Sequence, residues 1–171
     1  MPDMVRTLHE WAVVVIVSAV ALPLAGLLVW WLAPDGTKGK RLAEVGAVLG
    51  TLPWVWMILT PRPSPGWREL VPILPVVEQF GEDPPKALAE LGGNLLVFAA
   101  FGFFGTLRWR LAIWQVLAIA AVASALLETL QWALDLGRVS SVNDVLLNAA
   151  GAGLASLFAR GSVPAWIERS R

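Results

Sequence analysis

A small set of polar side chains recurs at helical spacing in an otherwise apolar chain. Glu128 and Gln131 stand three residues apart, so a helix puts both on one face. Ser124 lies one turn earlier on that face, and Arg138 follows shortly after. Asp144, Asn148 and Gly151 recur at i, i+4 and i+7, which makes one polar and small stripe. A third apolar run opens with Glu90, Gly92, Gly93 and Asn94. Brought together, Asn94, Glu128, Gln131, Arg138, Asp144 and Asn148 supply two carboxylates, one guanidinium and three carboxamides. The guanidinium fork matches a phosphate or carboxylate, and the carboxamides can hydrogen-bond a sugar or peptide. The carboxylates can instead provide a general base, or oxygen ligands for a hard divalent cation. Purely structural roles also fit these residues. Glu128 can pair with Arg138 across a hairpin, and Asp144 with Ser141 or Asn143 can cap a helix. Asn94 and Asn148 can tie helices together, and Gly151 and Gly153 can serve close packing.

The elements that must carry these groups are membrane spans. The chain has 171 residues, of which 57% are hydrophobic and 15% charged, with a mean hydropathy of +0.65. A soluble domain carries about 25% charged residues. The apolar residues form blocks long enough to cross a bilayer. Five spans are expected, at residues 11–33, 42–60, 91–107, 111–132 and 142–158, making an all-α membrane bundle. Pro23 is tolerable inside the first, because membrane helices accept Pro. That run is too long for a cleaved signal, and its preceding segment mixes Arg6 and His9 with two acids. Gly46 and Gly50 give a spacing that admits a second helix closely, with intramolecular packing preferred to an oligomer contact.

Residues 61–90 form the one long loop. Pro61, Pro63, Pro65, Pro72, Pro75, Pro84 and Pro85 exclude a continuous helix there. The apolar stretch 70–77 is too short to span and is expected at the interface, as a lid over a site or as a peripheral anchor. Trp11, Trp30, Trp31, Trp54, Trp56, Trp109, Trp114, Trp132 and Trp166 fall near span ends, where interfacial aromatics belong. With five spans, one side carries Lys38, Lys40, Arg41, Arg108, Arg110, Arg160, Arg169 and Arg171, and the other Arg6, Arg62, Arg68, Lys86 and Arg138. The bias of basic residues toward the cytoplasm then predicts an outer N-terminus and a cytoplasmic C-terminus. It also puts the six polar residues at the outer helix ends. Ionisable groups are costly in hydrocarbon and face the bundle interior in pairs. All six are therefore expected to line one outward-opening pocket.

Composition removes several functions. The net charge is zero, so no nucleic-acid partner is indicated. There is no Cys and one His, which leaves no disulfide, thiol nucleophile or His-rich metal site. No cofactor and no metal are expected. The absence of an internal repeat and the small size argue against a transporter.

Two segments resemble the VanZ-like family. LGGNLLVFAAFGFFG at 91–105 is similar to its Asn, apolar run and Phe-Gly pair. SALLETLQWALDLGRVSSVNDVLLNAAGAG at 124–153 resembles its second signature, with Glu128, Gln131, Gly137-Arg138, Asp144-Val145 and Asn148 in order. LVPILP at 70–75 matches only loosely, without the usual preceding Asn and following Phe. The resemblance implies one membrane domain over 1–171, with the signature mainly in 91–158. It implies a multi-pass protein of the bacterial plasma membrane. The family is named for a protein linked to glycopeptide resistance, chiefly to teicoplanin. Many of its members occur outside resistance clusters. The leading expectation is a binding module for a lipid head group, a lipid-linked cell-wall intermediate or an amphiphilic glycopeptide. The alternatives are an enzyme working on a lipid head group through Glu128, Arg138 and Asp144, and a structural membrane protein.

Overall fold

The computed structural model describes residues 2–32, 34, 36–63, 66, 68–71 and 73–162, with side chains described from residue 12 onward apart from 74 and 75. Its elements are α1 (Pro2–Leu32), α2 (Lys38–Leu59), β1 (Arg68–Glu69), α3 (Leu74–Glu82), α4 (Pro84–Val97), α5 (Ala99–Trp109), α6 (Ile113–Ala133), β2 (Ser140–Ser141) and α7 (Val142–Ser162). Among the described residues five helices are long and apolar enough to cross a membrane: Ala12–Leu32, Lys38–Leu59, Pro84–Trp109, Ile113–Ala133 and Val142–Ser162. The protein is an all-α membrane bundle. Its surface matches that solvent, with Ile16, Leu24, Leu28, Val122, Leu126, Leu154 and Phe158 all exposed.

The third span departs from the sequence expectation. It starts at Pro84, inside what reads as loop, because Pro84 and Pro85 occupy the first helical turn, where a missing N–H costs nothing. Asp83 caps that turn by accepting the Lys86 N–H at 3.2 Å. The helix breaks at Phe98, which separates α4 from α5. The long loop thus ends at Asp83, and part of it is the nine-residue helix α3. Leu70, Val71, Ile73 and Val77 in this stretch are exposed.

Small residues set the packing. A Cβ on Gly46 would lie 2.6 Å from the Phe104 ring, and one on Gly50 2.5 Å from Ala100 Cβ. The Gly46/Gly50 pair therefore seats α2 on α5 within the chain. A Cβ on Gly151 would collide with the Leu95 backbone carbonyl, and one on Gly102 with that of Ala152. These contacts draw α4 and α5 against α7, whose small face also takes Leu117 of α6 at Gly153. Close backbone approach of this kind is how membrane helices gain contact area without hydrophobic exclusion. As a result α7 is the most buried span and α1 the least. The third span packs on α7 rather than on α6, its neighbour in sequence. Thr106 and Ser156 share a buried hydrogen bond of 2.7 Å across α5 and α7.

Trp30, Trp31, Trp56, Trp109, Trp114 and Trp132 are exposed near helix ends, as interfacial aromatics would be. Trp54 instead turns inward and joins the core with Met57, Val97, Phe98 and Val116. Arg6, His9, Trp11, Pro65, Trp67, Pro72, Trp166, Arg169 and Arg171 lie outside the residues or side chains described.

Candidate functional site

The two ends of the bundle differ in construction. At one end Arg108 Nε meets Glu44 Oε1 at 2.7 Å, Arg160 donates to the Leu111 carbonyl, and Lys38 lies over Trp30. At the other, Arg62, Gly66, Arg68, Glu69 and Ile73 come against the segment 135–143 that links α6 to α7. β1 and β2 pair in parallel, Arg68 with Ser140 and Glu69 with Ser141. The Arg62 N–H donates to the Leu136 carbonyl at 2.8 Å, and the Ile73 N–H to Asn143 Oδ1 at 2.7 Å. We call residues 66, 68–71 and 73 the strap. Gly66 permits its approach, since a Cβ there would lie 2.9 Å from the Arg138 carbonyl. Ile73, with φ of 70°, is a β-branched residue in the left-handed region, which is uncommon and costly. The bond to Asn143 helps to hold it there.

Four of the six polar residues form a buried seam below the strap. Asn148 is 1% exposed and donates through Nδ2 to Ser124 Oγ at 2.7 Å, joining α7 to α6. One turn up, Glu128 Oε2 accepts the Ser141 N–H at 2.9 Å, while Ser140 Oγ donates to the Glu128 carbonyl. Asn94 of α4 donates to Asp144 Oδ1 at 2.7 Å, joining the third span to α7. Ser141 is the centre of this end. Its Oγ accepts the Asn143 N–H at 3.1 Å, as an N-cap does, and donates to Glu69 Oε2 at 3.2 Å. The cap on α7 is thus Ser141, while Asp144 serves the contact with Asn94.

Arg138 is half-buried and interacts electrostatically with both Glu128 and Asp144. Its Nη1 also donates to the Met57 carbonyl at the end of α2, at 3.4 Å. Glu128 is therefore held mainly through the Ser141 backbone, and not by Arg138 alone as a hairpin pair. Glu90, expected at the start of the third span, lies two turns inside it. It is exposed, and accepts from Gln79 of α3 at 2.7 Å.

Above the seam a cavity of 420 Å³ opens between the strap and the α6–α7 turn. It is lined by Gly66, Gln131, Trp132, Ala133, Asp135, Gly137 and Arg138. Only Gln131 and Arg138 of the six predicted residues line it. Gln131 is 4% exposed, and its Nε2 donates to the Ile58 carbonyl at 3.3 Å. Trp132 forms one wall, with the Arg68 guanidinium 3.8 Å from its ring centroid, close enough for a cation–π contact. The turn depends on Asp135 at φ 47° and Gly137 at φ 63°, residue types suited to the left-handed region. Asp135, Gly66 and the two serines were not singled out by pattern as site residues. Leu-Gly-Arg before Ser-Ser-Val-Asn was the available signal, a positive-φ turn followed by an N-cap.

Neither the curated proteins nor the solved structures hold a match to this chain. A family model does, over residues 47–163, which takes in α2 from Ala47 onward, the strap and every residue of the seam and cleft described above. The chain is a member of the VanZ/LLP1 family.

Proposed function

We propose that the protein binds the anionic head group of a membrane amphiphile in the cleft between the strap and the α6–α7 turn. The observation that carries this reading is the position of Arg138 on the cleft wall, at the end of a membrane bundle, beside exposed apolar residues of the strap. Its guanidinium offers five donors in a fork suited to phosphate or carboxylate. Leu70, Val71 and Ile73 give an acyl tail somewhere to lie while the head enters the cleft. Glu128 and Asp144 belong to the seam and are engaged by Ser141 and Asn94, which favours binding over acid–base chemistry. Asn94, Glu128, Asp144 and Asn148 then shape the site from below, and Gln131 and Arg138 touch the ligand.

The bias of basic residues toward the C-terminal side supports a cleft on the outer face and a cytoplasmic C-terminus, and the family supports a bacterial plasma membrane. Phospholipids, lipid-linked cell-wall intermediates and glycopeptides such as teicoplanin share the required chemistry, an anionic polar head joined to an apolar tail. The link to teicoplanin resistance is the case in which the amphiphile is the antibiotic. Native mass spectrometry of gently extracted protein should show one anionic amphiphile retained per chain. Protein that emerges with no bound anionic species, from membranes that contain them, contradicts the proposal. Reporter fusions near Lys38 and after Arg171 should both report cytoplasm. An external signal from either would turn the cleft inward and remove outer-leaflet ligands. Gene deletion that leaves teicoplanin susceptibility unchanged would separate the binding reading from resistance.

A further inference from the structure

The residues that line the cleft balance in charge. Arg138 brings a cation to it and Asp135 an anion. A second guanidinium stands beside them. Arg68 lies over the Trp132 ring, 3.8 Å from its centroid, and Trp132 is a wall of the cleft. Arg68 is exposed, and among the described residues its side chain has no ion pair and no hydrogen bond. A guanidinium stacked on an indole keeps the N–H edges of its fork for other acceptors. The neighbouring carboxylate does not claim them. Successive side chains of a strand point to opposite faces, and Glu69 accepts instead from Ser141 Oγ. The strand register keeps Arg68 near Arg138. Arg68 pairs with Ser140, one strand spacing or about 5 Å away, and Arg138 stands two residues before Ser140. Gly66, two residues before Arg68, meets the Arg138 carbonyl in step with that register. Two arginines from two different segments therefore stand at one cleft.

We propose that Arg68 is the second anion-binding group of the cleft, and that the two guanidiniums together select a head group ending in a phosphomonoester or a diphosphate over a phosphodiester. This rests on the reading of Arg138 as the anion-binding group and narrows the class of its ligand. Asp135 offsets one cation, so Arg138 alone gives an anion little net attraction. Arg68 supplies the excess. A phosphodiester has only a pair of free oxygens, which one bidentate fork occupies. A terminal phosphate adds a further free oxygen and a further charge, so a second fork has something to hold. A cation–π contact at an exposed site is weak, so the Arg68 fork can turn to a phosphate at small cost. Arg68 belongs to the strap and Arg138 to the α6–α7 turn, so an anion held by both also ties the strap to the turn.

Isothermal titration calorimetry on the detergent-solubilised full chain tests this with short-chain, soluble lipids. The probes are dihexanoyl phosphatidic acid, its methyl ester dihexanoyl phosphatidylmethanol, dihexanoyl phosphatidylcholine and free inorganic pyrophosphate. Titration at mildly alkaline pH keeps the phosphomonoester doubly charged. Phosphatidic acid should bind about tenfold more tightly than its methyl ester, the scale of one hydrogen bond to a charged group. Arg68→Gln should bring that ratio to near one. Arg68→Lys keeps the charge without the fork and should hold an intermediate ratio. Equal affinities for the two anionic lipids in the wild-type protein overturn the selection and leave the Arg138 anion site standing. A wild-type ratio in folded Arg68→Gln overturns the assignment to Arg68. Should Arg68→Gln fail to fold, an undiminished ratio in Arg68→Lys overturns it instead. Neither anionic lipid binding better than phosphatidylcholine overturns the Arg138 site and this inference with it. Pyrophosphate binding as tightly as phosphatidic acid supports the paired guanidiniums and rejects a membrane amphiphile as the source.

Discussion

The seam and the cleft are built from neighbouring turns of the same helices, yet their polar groups are used differently. In the seam, Asn148 meets Ser124, Glu128 meets the Ser141 backbone, and Asn94 meets Asp144. Each bond joins two separate segments. In the cleft one turn higher, Gln131 and Arg138 donate to the carbonyls that end α2, at 3.3 and 3.4 Å. These are long, weak bonds beside an open volume. The contrast teaches that position relative to the opening, rather than residue type, separates holding from binding. Asn148, Glu128, Asn94 and Asp144 tie neighbouring elements together away from the cleft, while Gln131 and Arg138 stand on its wall.

Glu128→Ala should show the largest loss of stability. It leaves the buried Ser141 N–H unpaired and removes the carboxylate that faces Arg138, at a cost of about 3 kcal/mol or more. Glu128→Gln keeps an acceptor and should recover part of that loss in thermal unfolding. Full stability in Glu128→Ala would erase the distinction between seam and cleft. Gly151→Ala comes next, at about 1–3 kcal/mol, because the new methyl meets the Leu95 backbone and cannot be accommodated by a rotamer change. Gly92→Ala is the control. Nothing lies within 4 Å of its added Cβ, so its melting temperature should stay at the wild-type value or rise. Asn148→Ala should cost about 1–2 kcal/mol by stranding Ser124, with lipid retention preserved in the folded fraction. Lipid loss in that variant without loss of stability would move Asn148 from the seam to the binding site. Of the polar substitutions, Arg138→Gln should cost least, about 1 kcal/mol.

Much of this was legible in the sequence. The five spans followed from the length of the apolar blocks, and the seam from polar residues at turn spacing on three of them. Periodicity reports which face a residue is on. It does not report how far the residue stands from the rim, so Gln131 and Glu128 read alike although only one lines the cleft. The start of the third span was misplaced because Pro84 and Pro85 read as breakers, when the first turn of a helix accepts them. Of the strap, only the apolar stretch from residue 70 was legible, as an interfacial lid or anchor; its pairing was not. Its register against Ser140 and Ser141 depends on backbone pairing between residues some seventy apart. Likewise, the role of Ser141 as cap and junction depends on a partner, Glu69, that belongs to a different loop. The preference of the third span for α7 over α6 was hidden because it rests on the match of Gly102 and Gly151 to facing backbone.

The most direct test of the distinction is native mass spectrometry of Arg138→Gln, extracted under conditions in which the wild-type protein retains its amphiphile. A cleft that binds through Arg138, above a seam that only supports it, predicts a folded Arg138→Gln that has lost most of the bound anionic species. A folded Arg138→Gln that retains the same species at the wild-type fraction would contradict the account.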